Sequence, residues 1–488
     1  MEDHKNLDLV NTVLCDELLA EIFSHVKDTI DHKNISFVCK RWLMVEGKAK
    51  QNLGLCVPGG GSFLSFCSSI QNLVRRYSQI TSLSLMMEGE DQNPELLEQV
   101  LVAVGSCSHF LRHFRFLAAK ATLGGLQALA RGCPDISSLH LMCLDPNHMP
   151  FLSNFRALRE LSLVGCLASE KTNWGDVPAG ELALEKLCLE GISPSNSGLG
   201  WLWLNCRKLH RLELFNCEGI GDTDTVALMQ CLASVQELQL RRCRVIANLI
   251  LRMVATSCRA LKVLIFQDGG DTNGLHHVIR SCTSLEVLEL RLPLDLFNED
   301  LAIIAQNGVS LRSLRLHSCW MATGAGIKLL GTQLRSNLED LALIRCRAIV
   351  QDPGTLTCLG QHLKSLRSLN LSDNDLLVDK ELVAMLASSC QRLLHLKLRR
   401  CRKLTDKAME YIGRNCQLLR SLVILCCDNI TSTGLMSLLT GCQSLTRIWV
   451  EKGKLTDAVQ NVASKRRVLL PASEPSTSDY QNYTFPAS

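Results

Sequence analysis

One short pattern, C-x-x-L-x-x-L-x-L-x-x-C, recurs along this chain and constrains its fold more than any other feature. It occurs in "CQRLLHLKLRRCRKLTDKAMEYIGRNC" (390–416) and again in "CQLLRSLVILCCDNITSTGLMSLLTGC" (416–442). Self-similarity at a period of about 20–50 residues indicates a repeat protein. The first apolar residue of the L-x-x-L-x-L core recurs at intervals of 22 to 31 residues in fifteen units: Ile80, Leu111, Ile136, Leu158, Leu184, Leu209, Val235, Leu261, Leu285, Leu311, Leu338, Leu366, Leu393, Leu419 and Leu445.

Each unit reads as one strand followed by one helix. Leu396 and Leu398 alternate, which places both on one face of a short strand. The segment 404–416 has apolar residues at helical spacing, with Thr405 or Asp406 as its N-cap. One such unit cannot bury its own apolar face, so neighbours must stack. The pattern therefore predicts an α/β solenoid, a leucine-rich-repeat horseshoe of about fifteen repeats, with strands lining its concave face.

The 24 cysteines admit three explanations: disulfides, a metal site, or a recurring packing position. No C-x-x-C pair occurs, whereas zinc ligands usually cluster at such spacings. No apolar stretch follows a basic start, and no run of about 18 apolar residues suggests a membrane span, so we expect a reducing compartment. We therefore expect buried thiols, with no metal and no cofactor. The repeated positions are Cys166, Cys217, Cys243, Cys319, Cys346, Cys401 and Cys427 after strands, and Cys133, Cys206, Cys258, Cys282, Cys390, Cys416 and Cys442 after helices.

This arrangement resembles the cysteine-containing class of leucine-rich repeats over roughly residues 70–462. We expect four regions: an N-terminal helical unit at 1–55, a joint at 56–79, the repeats at 80–468 and a disordered tail at 469–488. The tail, "LLPASEPSTSDYQNYTFPAS", is rich in Ser, Thr and Pro and has no apolar period.

The N-terminal residues do not follow the repeat. Leu14, Leu18, Ile22 and Val26 lie four apart, which predicts one amphipathic helix. A second helix, capped by Asp28 or Asp31, would carry the second apolar stripe: Ile35, Val38 and Trp42, with Cys39 and Leu43 beside it. About 40 residues make a poor independent core, so this unit should dock onto the repeats, a partner or both. The plain alternative is a helical cap that shields the first repeat from water.

The stretch "LCDELLAEIFSHV…ISFVCKRW" resembles an F-box, with Cys15 where that family usually has proline. The joining stretch "LVRRYSQITSLSL" (73–85) is similar to the joint of plant F-box/repeat proteins. The residues that match the F-box pattern are Leu14, Glu17, Leu18, Leu19, Ile22, Phe23, Ser36, Val38, Cys39, Lys40 and Trp42.

The resemblance implies a substrate receptor of an SCF-type cullin–RING ubiquitin ligase. Its F-box would bind the Skp-type adaptor, and through it the cullin and RING subunits, while the repeats hold an unknown protein substrate for ubiquitination and proteasomal degradation. The residues expected to contact the adaptor are Leu14, Leu18, Leu19, Ile22, Val38 and Trp42.

Target contacts are expected on the concave face of the repeats. Charges at the concave positions are nearly balanced, which argues against a nucleic-acid groove. Basic clusters follow the strands at 241–244, 345–347 and 399–403. These arginines and lysines are either solvated surface residues or a site that binds an acidic or phosphorylated target segment. The target residues expected are Arg241, Arg291, Arg315, His317, Lys397, Arg399 and Trp449.

Two other functions stay open: a repeat scaffold or inhibitor that recruits no ligase, and a small-molecule-dependent co-receptor of the hormone type. The second is disfavoured because the repeat intervals leave little room for a ligand-covering loop. An enzyme is not expected, since the sequence has no G-x-S-x-G, H-E-x-x-H or P-loop motif. We expect no membrane contact, no nucleic-acid partner, and a location in the nucleus, the cytoplasm or both. The net charge of +4 is too small for a chain of this length to indicate nucleic-acid binding by itself.

Overall fold

The computed structural model describes residues 10–26, 29–57, 63–77, 79–87, 94–166, 181–193, 199–220, 225–269, 272–291, 296–334, 337–346 and 352–471. The chain divides into two compact units, Met1–Val235 and Gln236–Ser488. Among the described residues, no helix is both long and apolar enough to cross a membrane.

The first unit begins with three helices and continues as strand–helix repeats. Its elements are α1 (Asp16–His25), α2 (Thr29–Val38), α3 (Lys40–Ala49), β1 (Asn52–Val57), α4 (Phe63–Arg76), β2 (Ser82–Met87), α5 (Pro94–Cys107), β3 (His113–Lys120), α6 (Leu123–Gly132), β4 (Ser138–Leu144), a 3-10 helix (Pro146–Asn154), β5 (Glu160–Cys166), β6 (Lys186–Glu190), α7 (Gly200–Asn205), β7 (Arg211–Phe215) and α8 (Thr225–Leu232).

The second unit alternates strand and helix throughout. Its elements are β8 (Glu237–Arg241), α9 (Ala247–Ser257), β9 (Val263–Gln267), α10 (Asn273–Ser281), β10 (Val287–Arg291), α11 (Asn298–Asn307), β11 (Ser313–His317), α12 (Gly324–Gln333), β12 (Asp340–Ile344), α13 (Thr355–His362), β13 (Ser368–Asn370), α14 (Asp379–Ser389), a 3-10 helix (Cys390–Arg392), β14 (His395–Lys397), α15 (Asp406–Asn415), β15 (Ser421–Val423), α16 (Ser432–Gly441), β16 (Arg447–Trp449), a 3-10 helix (Lys452–Lys454) and α17 (Asp457–Lys465).

Within each unit the strands pair in chain order, and every pairing is parallel. The register matches leucine to leucine, as in Leu288↔Leu314 and Leu290↔Leu316. All fifteen anchor residues predicted from the repeat are buried, from Ile80 to Leu445. The predicted leucine-rich-repeat solenoid is thus confirmed.

The sheet begins earlier in the chain than the fifteen sequence units indicate. Strand β1 lies at Asn52–Val57 and pairs with β2 over six residues, so the described chain holds sixteen strands. Helix α4 lies within the range that the sequence assigned to the joint. The extra strand escapes the pattern because its "NLGLCV" lacks the leading apolar anchor.

The turn at each strand exit recurs in structure as well as in sequence. The residue before the inward cysteine has a left-handed backbone, as at Arg400 (φ 56°) before Cys401. The Sγ of Cys401 then donates to the Leu371 carbonyl of the preceding repeat at 3.2 Å, and Cys427 does so to Leu398 at 2.9 Å. Buried carbonyls at this turn are therefore paired across repeats.

In one repeat an asparagine replaces the cysteine and also donates to a carbonyl of the preceding repeat. The Asn374 amide donates to the carbonyls of Leu343 and Leu371, both at 2.8 Å, and its oxygen accepts from the Cys346 N–H at 2.9 Å. Every described cysteine is a free thiol. Twelve of the predicted repeat positions are buried, which confirms the packing interpretation for them: Cys217, Cys243, Cys319, Cys346, Cys401 and Cys427 after strands, and Cys133, Cys206, Cys258, Cys282, Cys416 and Cys442 after helices. The side chains of Cys166 and Cys390 lie outside the described part of the chain.

Successive repeats are also joined where their helices begin. The Asp379 carboxylate accepts from the Thr405 N–H (2.9 Å) and hydroxyl (2.6 Å), and Asp406 accepts in the same way from Thr431. Thr405 and Thr431 cap their own helices in turn. Asp379 and Asp406 therefore each support the helix start of the next repeat.

The predicted single second helix at the N-terminus is wrong in one respect: it is two helices. Helix α2 ends at Val38, and Cys39 adopts an extended backbone that starts α3 at Lys40. The Cys39 Sγ accepts from the Trp42 N–H at 3.4 Å. Asp31 lies inside α2 and so cannot cap it, while Asp28 and the predicted disordered tail beyond 471 lie outside the described residues.

We predict that Asn374→Leu lowers the free energy of unfolding by about 3 kcal/mol, because it leaves buried carbonyls and the Cys346 N–H without partners. Asn374→Cys restores the residue that neighbouring repeats use, and should cost about 1 kcal/mol. Urea unfolding of the full chain measures both. Equal losses for the two variants would contradict the cross-repeat role of the side chain.

Candidate functional site

The outer face of α1 carries exposed apolar side chains. Leu18 is 48% exposed and Ile22 is 50% exposed, and four-residue spacing places them side by side on the helix. Leu19 and Phe23, on the other face, are 1% and 2% exposed. Solvated leucine and isoleucine on one face leave apolar area that a partner could bury.

The inward residues form a small core of their own. Leu19, Phe23, Ile35 and Val45 make this core, and Leu14 and Trp42 pack against it half-buried. The Trp42 ring lies 5.0 Å from that of Phe23. The six predicted adaptor residues therefore divide: Leu18, Ile22 and Val38 are exposed, Leu14 and Trp42 are partly covered, and Leu19 is internal. Leu19 is not carried forward as a contact, because its side chain supports the helix from beneath.

Sequence reasoning missed several exposed apolar side chains in this unit. Phe37 is 85% exposed at the end of α2, Met44 is 60% exposed on α3, and Val13 precedes α1. The apolar residues Ile35, Phe37 and Val38 are too closely spaced for the sequence to show which of them faces outward. The break between α2 and α3 determines that Phe37 faces solvent.

The start of α1 is held by Arg41. Cys15 is the N-cap of α1 and its side chain makes no capping hydrogen bond. Instead, Arg41 donates to the Leu14 carbonyl at 2.6 Å and to the Asp16 carboxylate at 2.9 Å. The helix start that usually carries proline in the F-box pattern is therefore secured from α3.

A buried carboxylate joins these helices to the first repeat. The Glu46 side chain on α3 is 3% exposed, and it lies 3.0 Å from the Arg76 guanidinium at the end of α4. Arg76 also donates to the Ser36 hydroxyl at 3.1 Å, and its guanidinium lies 4.9 Å from the Tyr77 ring. This ion pair attaches α3 to α4, the helix of the first repeat.

On the repeats, the central charged residue of the predicted target site is already neutralised. Arg315 on β11 donates to the Asp340 carboxylate at 2.8 Å, and Glu289 lies 3.8 Å away on the other side. Burial would lower the pKa of Arg315, but Asp340 and Glu289 outweigh it and the pKa is raised. Ser313 and Gln267 complete the network with hydrogen bonds of 2.7 Å to Asp340 and Glu289.

The other predicted target residues fall in two rows along the strands. Arg291 pairs in register with His317, and Arg241 lies in their row. Lys397 and Trp449 share the row of Arg315. Burial lowers the pKa of His317 although Glu289 lies 3.6 Å away, so the ring is neutral near pH 7. Trp449 is 7% exposed and is not carried forward, whereas Arg291 and Arg399 are exposed.

The cysteines do not form a reactive or metal-binding centre in the part of the chain described. Burial raises the pKa of Cys133 and of Cys231 to about 12 and that of Cys282 to about 11, so these groups stay as thiols. No group of three or more His, Cys, Asp or Glu among the described residues could hold a metal ion.

Two known proteins that resemble this chain have low sequence identity to it, and both carry the F-box name. The Leucine Rich repeat family matches residues 362–379. The F-box protein MAX2 homolog B of Petunia hybrida is 23% identical over 87% of this chain, and the match covers 54% of that protein. F-box/LRR-repeat protein 4 of Bos taurus is 24% identical over 38% of this chain, with 30% of that protein covered. The chain thus spans about half or less of these relatives, and its resemblance to F-box/leucine-rich-repeat proteins is confirmed.

Solved structures give only weak matches. The chain is 15% identical to a chain of the yeast Rad7 and Elc1 complex, with a TM-score of 0.44 over 98% of this chain and 97% of that one. The leucine-rich-repeat protein LegL7 of Legionella pneumophila is 15% identical, with a TM-score of 0.37 over 50% and 87% of the two chains. Similarities of this size contribute nothing to the fold assignment, which follows from the strands and helices above.

We predict that Glu46→Gln weakens the attachment of α1–α3 and lowers the free energy of unfolding by about 1–2 kcal/mol. Amide exchange in α1–α3 should quicken, while exchange in β2–β4 stays unchanged. The matched control is Asp16→Asn, since that carboxylate is 57% exposed in its pair with Arg41. An equal effect of both variants on exchange would contradict a special role for Glu46.

We predict that Arg315→Met lowers the free energy of unfolding by about 1–2 kcal/mol, because it leaves the buried Asp340 carboxylate and the partly buried Glu289 carboxylate without their cation. Arg399→Met removes an exposed arginine of the same face and should change stability by less than about 0.5 kcal/mol. Thermal unfolding compares the two variants. A smaller loss for Arg315→Met than for Arg399→Met would show that the network is not structural.

Proposed function

We propose that this chain is the substrate-recognition subunit of an SCF-type ubiquitin ligase. The observation that carries the proposal is the exposed apolar face of α1, in a segment that resembles an F-box and is followed directly by leucine-rich repeats. The relatives named above combine an F-box with leucine-rich repeats or carry the F-box name, which supports the same assignment. In this role the N-terminal helices bind the Skp-type adaptor, and the repeats bind the protein to be ubiquitinated.

The mechanism is proximity. The chain holds a target beside the ubiquitin-conjugating enzyme that the adaptor, cullin and RING subunits recruit. Tethering raises the effective concentration of a target lysine to about the millimolar range for a short flexible span. Orientation adds to this gain when the tether is stiff. The Glu46–Arg76 pair supports such stiffness between α3 and the first repeat.

The adaptor surface consists of Leu18, Ile22 and Val38, extended by Phe37 and Met44. Full burial of one such side chain contributes about 1.5–3 kcal/mol, so a few of them suffice for a stable contact. A charge placed among them would have to be desolvated on binding, which costs several times that contribution unless it finds a partner.

We predict that Leu18→Asp with Ile22→Asp abolishes adaptor binding without unfolding the chain. Both side chains point to solvent, so the free protein should keep its melting temperature within about 2 °C. The measurement is capture of purified Skp-type adaptor on the immobilised full chain, with circular dichroism melting beside it.

The matched control is Val309→Asp with Leu418→Asp, two apolar side chains of the repeats that are 65% and 49% exposed. These should bind adaptor as the wild type does. Retention of adaptor by the α1 variant, or failure of the wild type to bind it at all, would reject the assignment.

A further inference from the structure

A row of left-handed residues runs along the strand exits of the second unit. Six of them extend the parallel ladder by one hydrogen bond: for example, the Arg242 N–H donates to the Gln267 carbonyl at 2.9 Å, and the Arg400 N–H to that of Leu425 at 2.8 Å. In the seventh, Cys426, the N–H donates to the Glu451 carboxylate. We call this the strand-exit row; its described members are Arg242, Asp268, Ser318, Arg345, Asp373, Arg400 and Cys426.

The backbone of this row is set by the repeat and not by the side chain that occupies it. The φ angles of its members lie between 50° and 60°. Asparagine, aspartate and glycine tolerate that conformation, whereas the Cβ of other residues crowds the following carbonyl. Asp268 and Asp373 therefore suit their positions. Arg242, Arg345 and Arg400 occupy strained positions that a smaller residue would fill at lower cost.

Contacts within the fold do not explain these three arginines. Arg400 lies 3.5 Å from Asp373, in a partly exposed pair. Neither Arg242 nor Arg345 forms an ion pair with any residue that the structure describes, and both are exposed. An observed backbone outlier of this kind is a basis for inferring function. Arg242 and Arg345 therefore have no counter-charge among the described residues, and the charge of Arg400 is only partly offset by Asp373, which leaves charge for a partner outside the chain.

The loops that follow the row expose apolar side chains. Val245 follows Cys243 and is 72% exposed, and Trp320 and Met321 follow Cys319 at 47% and 51%. Leu376, after Asn374, is also exposed. Aromatic and methionine side chains beside arginine form the composition typical of binding surfaces.

We propose that the strand-exit row and these loops bind an acidic polypeptide segment that also carries apolar side chains. Identifying that segment as the ubiquitination target rests on the function proposed above. Arg242 and Arg400 are six strands apart, about 29 Å at 4.8 Å per strand. An extended segment of about nine residues spans that length. Arginine side chains would pair with its carboxylates, and Trp320 and Met321 would contact its apolar residues.

The charge pattern favours a polypeptide over a nucleic acid. Asp268 and Asp373 lie among the arginines of the row, so a continuous line of phosphates would meet two carboxylates. A polypeptide can place its acidic residues only where the arginines stand. Arg315 does not contribute, because Asp340 and Glu289 already neutralise it.

The decisive variant replaces Arg242, Arg345 and Arg400 with asparagine, the residue that left-handed positions prefer. This variant should lose binding while its melting temperature rises by roughly 1–3 °C. A variant that lost binding because it unfolded would instead have a lower melting temperature. The matched control replaces Arg252, Arg280 and Arg392 with glutamine. It removes the same charge from exposed positions in or beside the helices.

The probe is a phage-displayed library of random 16-residue peptides, panned against the full chain, with selected peptides remeasured by fluorescence anisotropy. We expect enriched sequences to contain Asp or Glu with aromatic or aliphatic residues, and to bind the asparagine variant at least tenfold more weakly than the wild type and the glutamine control. Binding should also weaken as salt is raised from 50 to 300 mM, as exposed ion pairs do.

No enrichment, enrichment of peptides without acidic residues, or equal binding to the asparagine variant would overturn the proposal. So would a 20-nucleotide single-stranded DNA that binds the row more tightly than the selected peptides. Adaptor capture by the asparagine variant should equal that of the wild type. Failure of adaptor capture by every form would reject the ligase function and leave the peptide result standing.

Discussion

The turn at which the chain leaves each strand is the constraint on which the repeats depend. It is buried, so its carbonyls and N–H groups need partners that the next strand alone does not supply. The left-handed residue continues the ladder by one hydrogen bond, and the inward thiol or amide then pairs with the carbonyl of the preceding repeat, as Cys401 and Asn374 do. Where Cys217, Cys346, Asn374, Cys401 and Cys427 make this bond, adjacent repeats are joined at the same point, and the parallel register presents outward residues in rows.

In the described rows, charged side chains are paired within the strands but largely unpaired at the strand exits. Within the strands, Glu289, Arg315 and Asp340 meet their counterparts on neighbouring strands and neutralise one another. At the strand exits the backbone turns away, and side chains such as Arg242 and Arg345 project without such counterparts among the described residues. A nearly neutral surface can therefore carry a locally basic edge. The number of charged residues in the sequence does not show which charges are neutralised within the strands and which are exposed at the strand exits.

The N-terminal helices show how exposure and burial divide one apolar segment. Their core is too small to hold apart from the repeats, and Glu46 with Arg76 supplies a polar attachment to the first repeat helix. Leu19 and Phe23 fill the core, while Leu18 and Ile22 on the same helix remain exposed. One face of helix α1 thus stabilises the unit, and its other face is available to a partner.

The sequence by itself determined the solenoid, because an anchor residue that recurs about every 26 residues can be buried only by stacking, and all fifteen anchors lie inside. It also indicated the packing role of the cysteines and the amphipathic α1. The tertiary structure alone decided that β1 adds a strand, that Cys39 splits α2 from α3, that Phe37 faces solvent and that Trp449 does not. The added strand depends on pairing between residues 30 positions apart, as in Asn52↔Ser82, and the helix break on the Cys39 side chain, which accepts from the Trp42 N–H. No apolar period in the sequence specifies either contact. For the same reason, only the folded chain distinguishes the paired Arg315 from the exposed arginines of the strand-exit row.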